Sequence, residues 1–155
     1  MLFITIKENF FQVGIACLIA LLIVYKHKGL AFILTVAVTI ALSDSSGHYI
    51  LKEGFARLRP CHVLPDLVNV IRCSNSFSFP SNHAVNSFAA ATLLSLCFRN
   101  MTLMVYAFAL LISYSRIYLK VHYPFDVLGG AIYGSLIGYI CYRYIYIRTL
   151  KFIKS

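Results

Sequence analysis

Two histidines, an aspartate and three cations in this sequence could together carry out phosphoryl transfer. Lys52 is followed by Arg59 and Pro60, and Pro80 by Ser81, Asn82 and His83. Ser115 and Arg116 come next, then His122, with Asp126 four positions further on. A neutral imidazole can attack phosphorus and hold it covalently, and that role is read for His122. A carboxylate that accepts a hydrogen bond from the other ring nitrogen fixes the tautomer and steadies the cation that forms, which suits Asp126. A second imidazole can protonate the leaving oxygen and then serve as base for a water, which suits His83. Lys52, Arg59, Arg116, Ser81 and the backbone at Asn82 and His83 are the expected holders of the phosphoryl oxygens. A cation at about 4 Å from such an oxygen is worth a few kcal/mol at an interface, and an arginine can grip two oxygens at once. The scheme needs no metal and no cofactor. Cys61, His62, Cys73, His83 and His122 match no standard zinc spacing.

These residues are far apart in the chain, so the elements between them must bring them together. The chain has 155 residues, enough for a single domain, residues 1–155. It is 60% hydrophobic and 12% charged, with a mean hydropathy of +0.79. A soluble domain is nearer half apolar and a quarter charged, so this composition argues against a water-soluble enzyme and against disorder. A crossing helix needs about 20 apolar residues, and helices satisfy their own backbone inside lipid. Five spans are expected, at about 9–25, 30–51, 81–98, 101–119 and 125–147. One long extramembrane loop, 52–80, separates the second from the third. The expected architecture is an all-α integral-membrane helical bundle.

Alternating spans put the end of the second and fourth, and the start of the third and fifth, on one membrane face. All the residues named above fall on that face. The third span starts at Ser81, so unsatisfied N–H groups and the positive end of a helix dipole also point there. The net charge of +9 sits at the ends of apolar runs, which suits lipid headgroups or a phosphorylated substrate and gives no reason to expect nucleic acid. Setting aside the three phosphate-binding cations leaves more positive charge on the opposite face. The positive-inside rule then puts the opposite face in the cytoplasm and the site outside it.

Other features have readings of their own. Asp44, His48 and Lys52 form a stripe spaced by four, and intramembrane ionisable groups usually have a use. The stripe is either support for the site, together with Ser115, or an interior hydrogen-bonded cluster with Ser43, Ser45 and Ser46. Arg57 and Lys120 are read as charges facing headgroups. Gly130, Gly134 and Gly138 form a seam that lets a neighbouring helix of the same chain approach closely. Tyr139, Tyr142, Tyr144 and Tyr146 are read as an interfacial belt. Whether Cys61 and Cys73 pair across the loop is left open.

The chain also resembles the type 2 phosphatidic acid phosphatase superfamily, whose signatures are K-x6-R-P, P-S-G-H and S-R-x5-H-x3-D. Here they read Lys52-x6-Arg59-Pro60, Pro80-Ser81-Asn82-His83 and Ser115-Arg116-x5-His122-x3-Asp126. The resemblance covers roughly residues 30–147. It implies His122 as nucleophile, Asp126 as its partner, His83 as acid, and Lys52, Arg59 and Arg116 on phosphate. It departs from the pattern at Asn82, where the family usually has Gly, and in the span count, which is usually six.

The expected function is therefore a metal-independent membrane phosphatase that hydrolyses a phosphomonoester or diphosphate from a lipid headgroup. The expected location is a bacterial inner membrane, with the site on the extracytoplasmic face. The resemblance offers the 1-phosphate of lipid A, which is favoured, undecaprenyl diphosphate and phosphatidylglycerophosphate. The alternative is a small transporter or channel using Asp44 and His48 as an ion path. The absence of an inverted repeat weighs against it.

Overall fold

The computed structural model describes residues 19–20, 22–63 and 73–154, without the side chains of His48, Ile50 and Lys154. Most of the first expected span, and the side chain of His48, lie outside the described residues. The chain is an all-α integral-membrane bundle. Helix α1 runs His27–Ser46 and continues through a wider turn, Gly47–Lys52, into the short α2, Glu53–Phe55. After α3, Pro60–Val63, come α4, Asn82–Cys97, and α5, Thr102–Tyr118. Helix α6 spans Pro124–Cys141 and passes through a wide turn, Tyr142–Tyr146, into α7, Ile147–Lys154.

Three of these stretches are long and apolar enough to cross a membrane: His27–Ser46, Arg99–Tyr118 and Pro124–Ile153. The last runs further than the sequence suggests, because the wide turn carries the helix on past Tyr146. Helix α4 has only 16 residues. It is nevertheless the centre of the bundle and packs against α6, α5 and α1.

Small residues explain the close approach of α4 and α6. A Cβ at Gly130 would stand 2.9 Å from the Ser81 carbonyl oxygen, and one at Gly138 2.5 Å from that of Ala89. At Gly134 it would collide with the Val85 carbonyl. The seam therefore packs within the chain, as its four-residue spacing predicts. Helix α1 turns Thr35, Thr39 and Ser43 inward, all fully buried. Thr35 and Thr39 each donate back to the carbonyl four residues earlier, at 2.7 and 2.8 Å, so their hydroxyls are satisfied within the bundle.

The apolar core lies at the end of α4 away from Ser81, where Phe32, Leu93, Phe98 and Tyr146 pack together. Tyr146 is 4% exposed. It is thus a core residue and not part of an interfacial belt, because the turn at Tyr142–Tyr146 rotates it towards α1 and α4. A second cluster, Phe88, Ala91 and Ala109, packs α4 on α5, and the polar groups gather at the Ser81 end.

Candidate active site

At the Ser81 end of α4, the helix termini and the loops close around an open cavity of about 570 Å³. Lys52, Arg59, Asn82, His83, Arg116 and His122 line it. Residues from four separate parts of the sequence therefore meet at one place.

The cations are held by backbone. Lys52 donates to the Phe77 carbonyl at 2.7 Å. Arg59 donates from Nε to the Ser76 carbonyl at 2.8 Å, from Nη2 to Ser76 Oγ at 3.0 Å, and from Nη1 to the Val121 carbonyl at 3.2 Å. Burial pushes the Lys52 ammonium down to about 8, helped by the charge of Arg59 and opposed by Asp126 and Asp44. Burial also lowers Arg59, against the pull of Asp126. The strap that supplies the Ser76 and Phe77 carbonyls, 73–80, is tied to α3 by a Cys61–Cys73 disulfide with its Cα atoms 6.2 Å apart. Both sulfurs are thereby committed to each other.

Arg116 differs from the other two. It is 5% exposed, yet its Nε and Nη2 have no hydrogen-bond partner. The fully buried Ser81 is alike: it occupies the N-cap of α4, but its hydroxyl makes no capping bond and is unpaired. Buried donors without acceptors are costly and rare. These lie beside a cavity lined by cations, and a tetrahedral oxyanion would satisfy them.

His122 is presented by the end of α5. The Lys120 N–H donates to the Ile117 carbonyl at 2.9 Å and the Val121 N–H to that of Arg116 at 3.2 Å. Lys120 takes the left-handed conformation (φ 57°) that such a helix end requires. This turn reverses the chain and places His122 one short step from Arg116. The His122 ring is buried, with Nε2 3.3 Å from Arg59 Nη1. Arg59 can only donate, so Nε2 accepts and the ring proton lies on Nδ1. Burial drives the imidazole down to about 4, with Arg59 and Lys52 adding to the effect and Asp126 opposing it. The ring is therefore neutral at physiological pH.

Nδ1 lies 3.6 Å from Asp126 Oδ2 and 3.4 Å from Ser78 Oγ. The direct hydrogen bond expected between His122 and Asp126 is thus not made, and Ser78 stands beside both groups. The carboxylate is already well supplied with donors. Ser78 Oγ donates to Oδ2 at 2.5 Å, the Tyr123 N–H to Oδ2 at 2.8 Å, and Arg57 Nη1 to Oδ1 at 2.9 Å. Arg57 also lies over the Tyr123 ring, 4.0 Å from its centroid. The expectation that Arg57 faces headgroups is thereby corrected: it grips Asp126. The sequence carried a signal for Ser76 and Ser78. Serines at 74, 76 and 78 alternate with larger residues, the period that puts side chains of extended backbone on one face.

Asp44 does reach the cavity, but it does not touch Lys52. Its Oδ1 accepts from Asn82 Nδ2 at 3.1 Å and Asn86 Nδ2 at 3.2 Å. Ser43 donates to Asn86 Oδ1 at 2.7 Å. Asp44 is exposed at the cavity, so the expected interior cluster with Ser43, Ser45 and Ser46 is not what forms: Asp44 and Ser43 both bond to asparagines of α4, while Ser46 accepts from the Tyr133 hydroxyl on α6 at 2.7 Å. The Ser115 hydroxyl donates to the Ile112 carbonyl at 2.6 Å.

The PAP2 superfamily model matches residues 28–150. A lipid A 4′-phosphatase of Bacteroides thetaiotaomicron is 36% identical over 120 residues, covering 73% of this chain and 53% of that protein. A lipid A 4′-phosphatase of Porphyromonas gingivalis is 30% identical over 155 residues, covering 94% and 65%. The chain thus spans between half and two thirds of the length of these relatives. The crystal structure of Aquifex aeolicus LpxE superposes with a TM-score of 0.66 at 35% identity, covering 86% of this chain and 78% of that one.

Proposed function

The chain belongs to the PAP2 superfamily, and from that premise we propose that it is a metal-independent lipid phosphatase acting through a phosphohistidine. The observation that carries the reading is the pair of unpaired donors on buried Arg116, facing the cavity that holds neutral His122. The phosphoryl group of the substrate takes hydrogen bonds from Arg116, Ser81 and Arg59, with Lys52 adjacent. As Arg59 turns to the phosphate, the lone pair on His122 Nε2 is released. Nε2 attacks phosphorus, the P–O bond to the lipid breaks, and His83 gives its proton to the leaving oxygen. Positive charge on the ring is balanced by Asp126, directly and through Ser78. His83 then takes a proton from water, which attacks phosphorus. The P–N bond breaks and inorganic phosphate leaves.

The substrate class follows from where the cavity lies, at the ends of membrane-crossing helices where headgroups lie. A lipid A phosphate is favoured, because two relatives carry the name lipid A 4′-phosphatase. The family resemblance offers the 1-phosphate, so both positions belong in the test, together with undecaprenyl diphosphate and phosphatidylglycerophosphate. The Cys61–Cys73 disulfide supports a site on the oxidising, extracytoplasmic side of a bacterial inner membrane. Against a transport path, the Asp44 carboxylate is engaged by two asparagines.

The test is phosphate release from this panel in detergent with a chelator present. Wild-type protein should release phosphate and form an acid-labile, base-stable phosphoprotein. His122→Ala should do neither while remaining folded. Near-normal turnover by that variant would remove His122 as nucleophile.

A further inference from the structure

One wall of the catalytic cavity presents acceptors instead of donors. Asp44 lies in the last turn of α1 and is exposed at the cavity. Its Oδ1 takes two amides, Asn82 Nδ2 at 3.1 Å and Asn86 Nδ2 at 3.2 Å, which fixes the plane of the carboxylate. Its Oδ2 takes no hydrogen bond from the described residues. Asn82 Oδ1 is buried and also lacks a donor. Asn82 stands between Ser81 and His83 in the chain, so this wall begins one side chain away from the phosphate seat. The cavity therefore holds unfilled donors, on Arg116 and Ser81, and unfilled acceptors, on Asp44 and Asn82.

A phosphate dianion satisfies the donors but cannot use the acceptors, since its oxygens only accept. A carboxylate so near also repels it. Nor is the charge needed to brace α1 on α4, because the neutral pair of Ser43 and Asn86 already ties them at 2.7 Å. What the wall fits is a hydrogen-bond donor carried beside the phosphate, lying between the two anions. We infer that Asp44 reads the headgroup: it accepts from a hydroxyl close to the phosphoryl group, and so favours sugar and glycerol phosphates over a phosphate or diphosphate on plain hydrocarbon. The inference rests on the phosphatase reading above and narrows its substrate class. Asn82, which stands where the family usually has Gly, supplies one of the two amides that orient the carboxylate, so the device belongs to this chain's own residues. Asp44 is then a specificity residue, acting on the leaving group and not on phosphorus.

The experiment compares dodecanoyl lysophosphatidic acid, whose free hydroxyl sits on the carbon next to the phosphate-bearing one, with its deoxy analogue, dodecanoyloxypropyl phosphate. Both are given to the purified protein in detergent. Wild type should show a kcat/KM about tenfold higher for the hydroxyl ester, the yield of one hydrogen bond to a charged group. Asp44→Ala should bring the ratio close to one, lowering kcat/KM for the hydroxyl ester and raising it for the deoxy ester, from which the like charge has been removed. Asp44→Asn keeps the shape, guards against misfolding of the alanine variant, and should give an intermediate ratio, because a neutral oxygen is the weaker acceptor. A wild-type ratio near one, or an equal fall for both esters in the Asp44 variants, makes Asp44 a brace or a water site. Either result overturns the headgroup reading and leaves the phosphatase reading intact. Hydrolysis of neither ester by wild type overturns both.

Discussion

Arg57 Nη1 lies 2.9 Å from Asp126 Oδ1, across 69 residues of sequence. The carboxylate is fully buried and the guanidinium 40% exposed, so this pair is a one-sided clamp: solvent still reaches the arginine, while the aspartate depends on it. The clamp fixes the plane of the carboxylate and thereby the oxygen offered to Ser78 and His122. Arg57 is a positioning residue.

Arg57→Ala should lower kcat about 10- to 100-fold, the usual effect of removing a group that orients a catalytic partner, with KM changed far less. Arg57→Lys should recover part of the loss. Steady-state kinetics on a folded variant decide it. A KM effect with kcat intact would return Arg57 to a headgroup contact.

The kcat/KM profile should fall as pH rises through about 8, because the free enzyme then loses the Lys52 proton that the phosphate needs. His122 must be neutral to attack, and with its value near 4 it imposes no loss until the pH drops that far. In Lys52→Arg the component of the fall near pH 8 should disappear, since a guanidinium keeps its charge, leaving the fall that comes from loss of the His83 proton. An unchanged alkaline limb in that variant would assign it to another group.

Gly134→Ala should destabilise the protein by about 1–3 kcal/mol through overpacking against the Val85 backbone. Gly54→Ala, with nothing within 4 Å of the added Cβ, should be neutral or stabilising by about 0.4–1 kcal/mol. Thermal unfolding in detergent compares the two. Equal effects would mean that the seam is not a close contact.

Cys61→Ser should lower stability by about 3 kcal/mol, the closure entropy of a loop of this size. Phosphate binding should weaken with it, because the strap carries the Ser76 and Phe77 carbonyls that hold Arg59 and Lys52. In intact cells an impermeant thiol reagent applied after reduction should label wild type from outside. Labelling only after permeabilisation would reverse the orientation.

The residues that the sequence made legible sit at helix ends. Lys52, Ser81, Arg116 and Asp126 have their positions dictated by where an apolar run begins or stops, and the spacing of His122 from Arg116 follows from one helix-ending turn. Gly130, Gly134 and Gly138 were legible for a related reason, since helical periodicity alone puts them on one face. Arg57 and Ser78 were not. Both lie in irregular backbone: the alternation of Ser74, Ser76 and Ser78 puts the three serines on one face without saying what that face meets, and only the fold brings Ser78 and Arg57 to Asp126. Asp44 was half legible. Its place near the cavity follows from its position towards the end of α1, but its choice of Asn82 and Asn86 over Lys52 depends on how α1 packs against α4. Tyr146 misled because a change of helical winding moves a residue off the face that regular spacing gives it.

The contact of Arg59 with His122 Nε2 bears on chemical selectivity. On the proposed mechanism this contact caps the reactive lone pair, and only a ligand able to draw the guanidinium away uncaps it. A doubly charged tetrahedral group does so, whereas a neutral carboxylic ester offers nothing to compete for the arginine. Acyl linkages in the surrounding lipids should thus be spared even where they drift within reach of the imidazole, which lets a strong nucleophile reside safely in a sea of esters.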